Sequence, residues 1–280
     1  MIIAFALAAA LTYGAADFCG GIATRRNPAA TVVVLSQVAG GVVLALAWRA
    51  FPAGGHFYVE DTLWGLAAGV AGGIAIAALY GALAVGRMGV VSPITAVIGA
   101  SVPVVAGFAF GDRPSAEALA GVALAFVAVA LVSANAETRA LSLRAPGVGL
   151  ALVSGLAIGA LYVFLARGHG DAGFARLAVT RVVSVVVLGA YVLARRESLR
   201  PAPGSLRLIL GAGALDMSAN VLYVLAAHSG LLAVAAVLTS LYPASTVLLA
   251  RIVLHERLTT SQWFGVAIAA CGVLLIAVSR

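Results

Sequence analysis

Asp216, Asn220, Tyr223 and Ala227 recur at i, i+4, i+7 and i+11, the spacing that lines one face of an α-helix. A carboxylate, an amide and a phenol on one stripe can bind a small polar solute. Asp17 and Arg181 also lie several residues inside apolar runs. An ionisable side chain in hydrocarbon costs at least roughly 2.5–3.5 kcal/mol, so it faces a bundle interior or a water-filled cavity. Each has two chemistries open to it. Asp17 or Asp216 can hold and release a coupling proton, or can pair with a cation; for Asp17 that cation is Arg181 or Arg25. Arg181 can grip a substrate carboxylate with its planar fork or pair with an aspartate. Gln37 can bond a ligand or a neighbouring helix, and Asp216 and Asn220 can tie helices together. Tyr80 offers a second phenol opposite Tyr223, so the two can form matching walls or gates. The candidate substrate set is thus Asp216, Asn220, Tyr223, Tyr80, Arg181 and Gln37, with Asp17 and Asp216 as candidate proton carriers.

The elements that position these residues follow from the hydropathy. The 280 residues are 63% apolar and 10% charged, and a soluble globule of this size needs a larger polar shell. The arithmetic excludes a soluble enzyme, a nucleic-acid-binding module and a disordered chain. It predicts an all-α membrane protein. A spanning helix needs about 20 mainly apolar residues. Ten such runs follow: 2–23, 29–49, 62–85, 89–110, 115–134, 147–166, 172–194, 205–227, 231–254 and 260–279. The first is read as a spanning helix and not as a cleaved leader, because no basic segment precedes it. All 17 basic residues besides histidine are arginine, mostly at run ends as membrane anchors. The all-arginine set and the abundant Ala, Gly and Val suggest a GC-rich bacterial genome. Cys19 and Cys271 lie inside apolar runs, so neither a disulfide nor a metal is expected. His169, His228 and His255 have no metal-ligand spacing.

Pro93, Pro103 and Pro243 remove helical hydrogen bonds and are candidate hinges or static kinks. Ser92, Thr95, Ser101, Thr239 and Ser240 stand near enough to resatisfy the freed carbonyls. Gly65, Gly69 and Gly73 form a doubled GxxxG on the third run, expected to pack within the bundle.

The ten runs divide five and five, which predicts two repeats, 1–140 and 141–280. Ala78-Leu79-Tyr80 matches Val221-Leu222-Tyr223, and Ser101-Val102-Pro103 parallels Leu241-Tyr242-Pro243. Asp112-Arg113 parallels Glu256-Arg257, Tyr13-Gly14 parallels Ser154-Gly155, and Gln37 falls where Arg181 falls. An odd number of spans per copy inverts the second copy, a plan that gives secondary transporters a midplane site.

The Tyr-Gly and Ser-Gly of the opening helices, the prolines in runs four and nine, and the acidic-Arg pair after each resemble the EamA-type ten-helix branch of the drug/metabolite transporter superfamily. So do the stretches Leu241-Tyr-Pro-Ala-Ser-Thr to Leu254-His-Glu-Arg, Trp263-Phe-Gly and Cys271-Gly-Val-Leu-Leu-Ile. Asp112, where the family more usually has Glu, is a departure. The resemblance implies a carrier in the bacterial cytoplasmic membrane, commonly an exporter of amino acids, related metabolites or toxic compounds.

No phosphate loop or nucleotide fingerprint is found, so an ion gradient, expected to be of protons, or the substrate's own gradient supplies the drive. The partners expected are lipid, a small solute and protons, with no nucleic acid and no cofactor, in a monomer or homodimer. A passive channel or lipid scramblase, or a membrane enzyme using Asp17 and Asp216, are the alternatives. Orientation is in conflict. The resemblance puts the termini in the cytoplasm, yet that leaves five arginines inside against ten outside, opposite to the positive-inside rule.

Overall fold

Hydrocarbon offers no water to backbone N–H and C=O groups, so an apolar chain must bond its backbone within each segment. In the computed structural model, which describes residues 1–50, 58–85, 88–132, 147–169, 174–254 and 259–278, the chain does so with helices and, among these residues, no strand. They are α1 (Ile2–Thr24), α2 (Ala29–Ala50), α3 (Val59–Val85), α4 (Met88–Ala109), α5 (Ala116–Val132), α6 (Val148–Ala166), α7 (Ala175–Ala194), α8 (Leu206–His228), α9 (Leu232–Thr239), α10 (Tyr242–Leu254) and α11 (Thr260–Val278). Six of them, α1, α2, α3, α6, α7 and α8, contain stretches long and apolar enough to cross a membrane.

Two bounds differ from the hydropathy reading. Helix α3 begins at Val59, so Glu60 and Asp61 are its first turn and not a loop. The expected run 231–254 is two helices. Ser240 leaves helical geometry at ψ 0° and Leu241 bonds back to Leu238 O at 3.3 Å. Pro243 explains the break, since it has no N–H for the carbonyl of Thr239. Proline alone does not decide, however, because α4 runs unbroken through Pro93 and Pro103.

Many large side chains face outward. Leu11, Leu63, Val182 and Leu193 are more than half exposed, while alanines such as Ala6, Ala75, Ala128 and Ala235 are fully buried. That is the surface a lipid-embedded bundle presents, with small residues bringing helices close. The glycine stripe shows the close approach. Gly65, Gly69 and Gly73 lie against Val179, Val183 and Val187 of α7. Thr180 and Ser184 donate to the carbonyls of Gly65 and Gly69 at 3.2 and 3.1 Å. The stripe therefore packs within the bundle.

Helix partners come in matched sets. α1 packs on α8 as α6 packs on α3; α2 on α8 as α7 on α3; and α1 on α9 and α10 as α6 on α4. α5 packs on α11, α2 on α7 and α4 on α9. Gly14 meets Tyr242 O and Ser245, whereas Gly155 meets Thr95 O and Ile98. Tyr242 directly precedes Pro243, whereas Thr95 lies about two turns of helix before Pro103.

Gly213 of α8 makes the tightest approach to another helix's backbone among these glycines. A Cβ there would strike the backbone carbonyl of Ser36, whereas one at Gly211 would meet nothing within 4 Å. Gly213→Val should lower stability by at least about 1–3 kcal/mol through forced separation of α2 and α8. Thermal unfolding in detergent, with Gly211→Val as control, measures this; equal unfolding temperatures would contradict it.

Candidate functional site

Arg181 of α7 and Asp216 of α8 meet inside the bundle. The guanidinium NH2 donates to Asp216 Oδ2 at 2.9 Å, and the same nitrogen lies 3.8 Å from Met217 Sδ. The Arg181 side chain is 9% exposed and that of Asp216 26%. Gly40 of α2 makes room for the pair, since a Cβ there would lie 3.2 Å from Arg181 Cζ. Of the two chemistries open to Arg181, the structure has the ion pair with an aspartate. Asp17 correspondingly has no ion-pair partner among the described residues. It is close enough to Asp216 and Tyr242 to interact with both electrostatically.

The rest of the α8 stripe behaves differently from an open wall. Asn220 turns its amide onto its own helix, donating to Asp216 O at 2.7 Å. Tyr223 is fully buried and donates to Tyr162 O at 3.0 Å. Its ring stacks on Tyr162, with centroids 4.5 Å apart, and Tyr162 in turn lies 6.1 Å from Tyr13. Three aromatic rings from α1, α6 and α8 thus converge, and Tyr13 is near enough to Arg181 and Asp216 to interact with both. Hydropathy could not single out Tyr162, whose role comes only from what α6 faces.

Four buried polar atoms in this interior have no hydrogen-bond partner among the described residues: Tyr13 Oη, Gln37 Oε1, Arg181 Nε and Thr239 Oγ1. Gln37 shares a helix face with Gly40, which touches Arg181. Each orphan costs about 1–3 kcal/mol in a dry interior.

The prolines are served otherwise than expected. Thr95 donates to Ala151 O, Ser101 to Val97 O and Ser240 to Ala236 O, none of them a carbonyl freed by proline. The carbonyl of Gly99, freed by Pro103, is instead covered by Gly159 of α6. Pro93 and Pro243 sit on α4 and α10, and Tyr80 on α3, with their side chains outside the described set. His255 and Glu256-Arg257 lie outside the described residues altogether. Asp112 accepts from Ala233 N at 3.2 Å, which caps the start of α9, and Arg113 donates to Phe108 O near the end of α4 and to Asp112 O just beyond it.

A second polar cluster escaped the hydropathy reading. Asp61 of α3 and Arg176 of α7 are both almost wholly buried and meet at 3.3 Å. His169 faces the other oxygen of Asp61 at 3.3 Å, and Arg176 NH2 lies 3.1 Å from His228 Nε2. The apolar run 62–85 places Asp61 in the preceding loop, whereas α3 begins at Val59. The signal was an acid in the first turn of one span and an arginine in the first turn of another.

No curated protein matches the chain. A solved structure titled only "Crystal structure of protein" superposes with a TM-score of 0.81 over 99% of this chain and 96% of its own, at 14% identity. At that identity the likeness concerns the fold. Residues 145–278 match the model of the EamA-like transporter family. Those residues span α6 to α11, so the similarity to the EamA-like transporter family lies in the second half of the chain.

Proposed function

We propose that the protein is a secondary active transporter, a proton-coupled exporter of small metabolites such as amino acids or of toxic compounds, in a bacterial cytoplasmic membrane. The observation that carries the reading is the orphaned set Tyr13 Oη, Gln37 Oε1 and Arg181 Nε beside an interior ion pair. Buried polar atoms without partners are expensive, and a substrate or its water supplies what they lack. The charges point the same way. Asp17, Asp216 and Arg181 sum to one uncompensated carboxylate inside the bundle, which calls for a proton or a cationic group.

The matched helix pairs support two inverted five-helix repeats, 1–140 and 141–280. Exchanging α1 to α5 with α6 to α11, and counting α9 and α10 as one span, carries each packed pair onto another. Near-equivalent halves with two arrangements are what alternating access requires.

The test is uptake into proteoliposomes under an imposed pH gradient, with labelled amino acids and organic cations as probes. Accumulation above equilibrium for at least one probe, collapsing with a protonophore, is the expected result. Equilibration without accumulation for every probe that crosses would replace the carrier by a passive channel.

A further inference from the structure

The Asp61 cluster lies apart from the interior site, at the end of the bundle where α1 begins. Gly230, just past α8, touches Ile2 there. We propose that the Asp61–Arg176 ion pair, held by His169 and His228, is the gate that keeps this end of the transporter closed. The inference rests on the transporter reading and adds to it which residues part when that end opens.

Four observations carry it. First, the pair joins α3 to α7, and so ties residues 1–140 to residues 141–280. Second, both side chains are 2% exposed, yet the pairing is incomplete, since Arg176 Nε has no partner among the described residues. A buried pair gains little over apolar contact, because desolvation offsets the attraction. Opening rehydrates both charges, so the closed and open states differ little in free energy. Third, the cluster is shaped to close on Asp61. Gly168 has φ +93°, and a Cβ there would strike both Asp61 Oδ1 and Arg176 NH1. Without one, the loop comes near enough for His169 N–H to donate to Asp61 Oδ1 at 3.0 Å. Arginine has only donors, so His228 Nε2 must be the acceptor of the 3.1 Å contact with Arg176. Fourth, Arg167 reinforces this end by lying 4.3 Å over the Phe110 ring, again across the halves. At the opposite end, among the described residues, neutral bonds tie the halves. Thr31 donates to Ser198 O at 2.7 Å, and Ala202 N donates to Asn27 Oδ1 at 2.6 Å.

The test uses spin labels on cysteines placed at Val59 and Ser229, both exposed at this end, after Cys19 and Cys271 have been replaced. Pulsed EPR in liposomes reads the distance between α3 and the end of α8. Asp61→Asn and Arg176→Gln should raise the ratio of long to short distances at least about tenfold, and Asp61→Glu should not. Unchanged distributions in the first two would overturn the gate. The second arm leaves the ion pair intact. A bifunctional thiol crosslinker between the same two cysteines should stop net transport, and its cleavage should restore it. Transport at the uncrosslinked rate would overturn the gate as well. Distances are read without any substrate, so a gate that fails is distinguishable from a protein that moves no solute.

Discussion

Replacing Arg181 by Leu should unfold or inactivate the protein more severely than replacing Arg181 and Asp216 together by Leu and Asn. The single change strands a carboxylate whose side chain is 26% exposed and which lies near enough to Tyr13 to interact with it. Breaking a buried pair by removing one partner costs about 3–5 kcal/mol, whereas apolar replacement of both is often neutral. The partial exposure of Asp216 puts the expected loss near the low end, about 2–4 kcal/mol. Unfolding of purified protein measures it, and an additive pair of effects would contradict the account. Transport separates from stability here. The double variant should fold and still fail to transport, because it has also lost the orphaned Nε and the charge set between the halves.

The second large effect concerns Asp17. Asp17→Asn removes the carboxylate that lacks an ion-pair partner while leaving the Arg181–Asp216 bond in place. Each pH unit across the membrane is worth about 1.4 kcal/mol per proton, or about tenfold in solute concentration. Under two units the wild-type protein should therefore accumulate substrate about a hundredfold for one-to-one exchange, and the variant should not accumulate it at all. Exchange of labelled for unlabelled substrate, which needs no net proton movement, should survive. Loss of both activities would make Asp17 a structural residue.

Much of this was legible before folding was considered. Apolar length located the helices, and the cost of charge in hydrocarbon singled out Asp17, Arg181 and Asp216. Gly14 and Gly155, which follow Tyr13 and Ser154 in the sequence, each meet a backbone carbonyl of a proline-bearing helix, Tyr242 O and Thr95 O. What stayed hidden depends on packing between helices distant in sequence. Spacing put Asn220 on the face of Asp216, but only the folded helix turns its amide onto the backbone. Tyr162 is one apolar-run tyrosine among several until Tyr223 stacks on it. Asp61 read as loop because hydropathy discounts an acid at a helix start, where an N-terminal dipole favours it. The break at Ser240 could not be read from Pro243 alone either, since α4 carries two prolines without breaking.

The central claim is that solute and proton move in opposite directions through one interior site. It is tested most directly by loading proteoliposomes with substrate and a pH dye, with no pH gradient imposed, and diluting them. The account predicts that substrate efflux acidifies the lumen, and that Asp17→Asn abolishes the acidification. Wild-type efflux at an unchanged lumenal pH, with counter-ions provided, would contradict it.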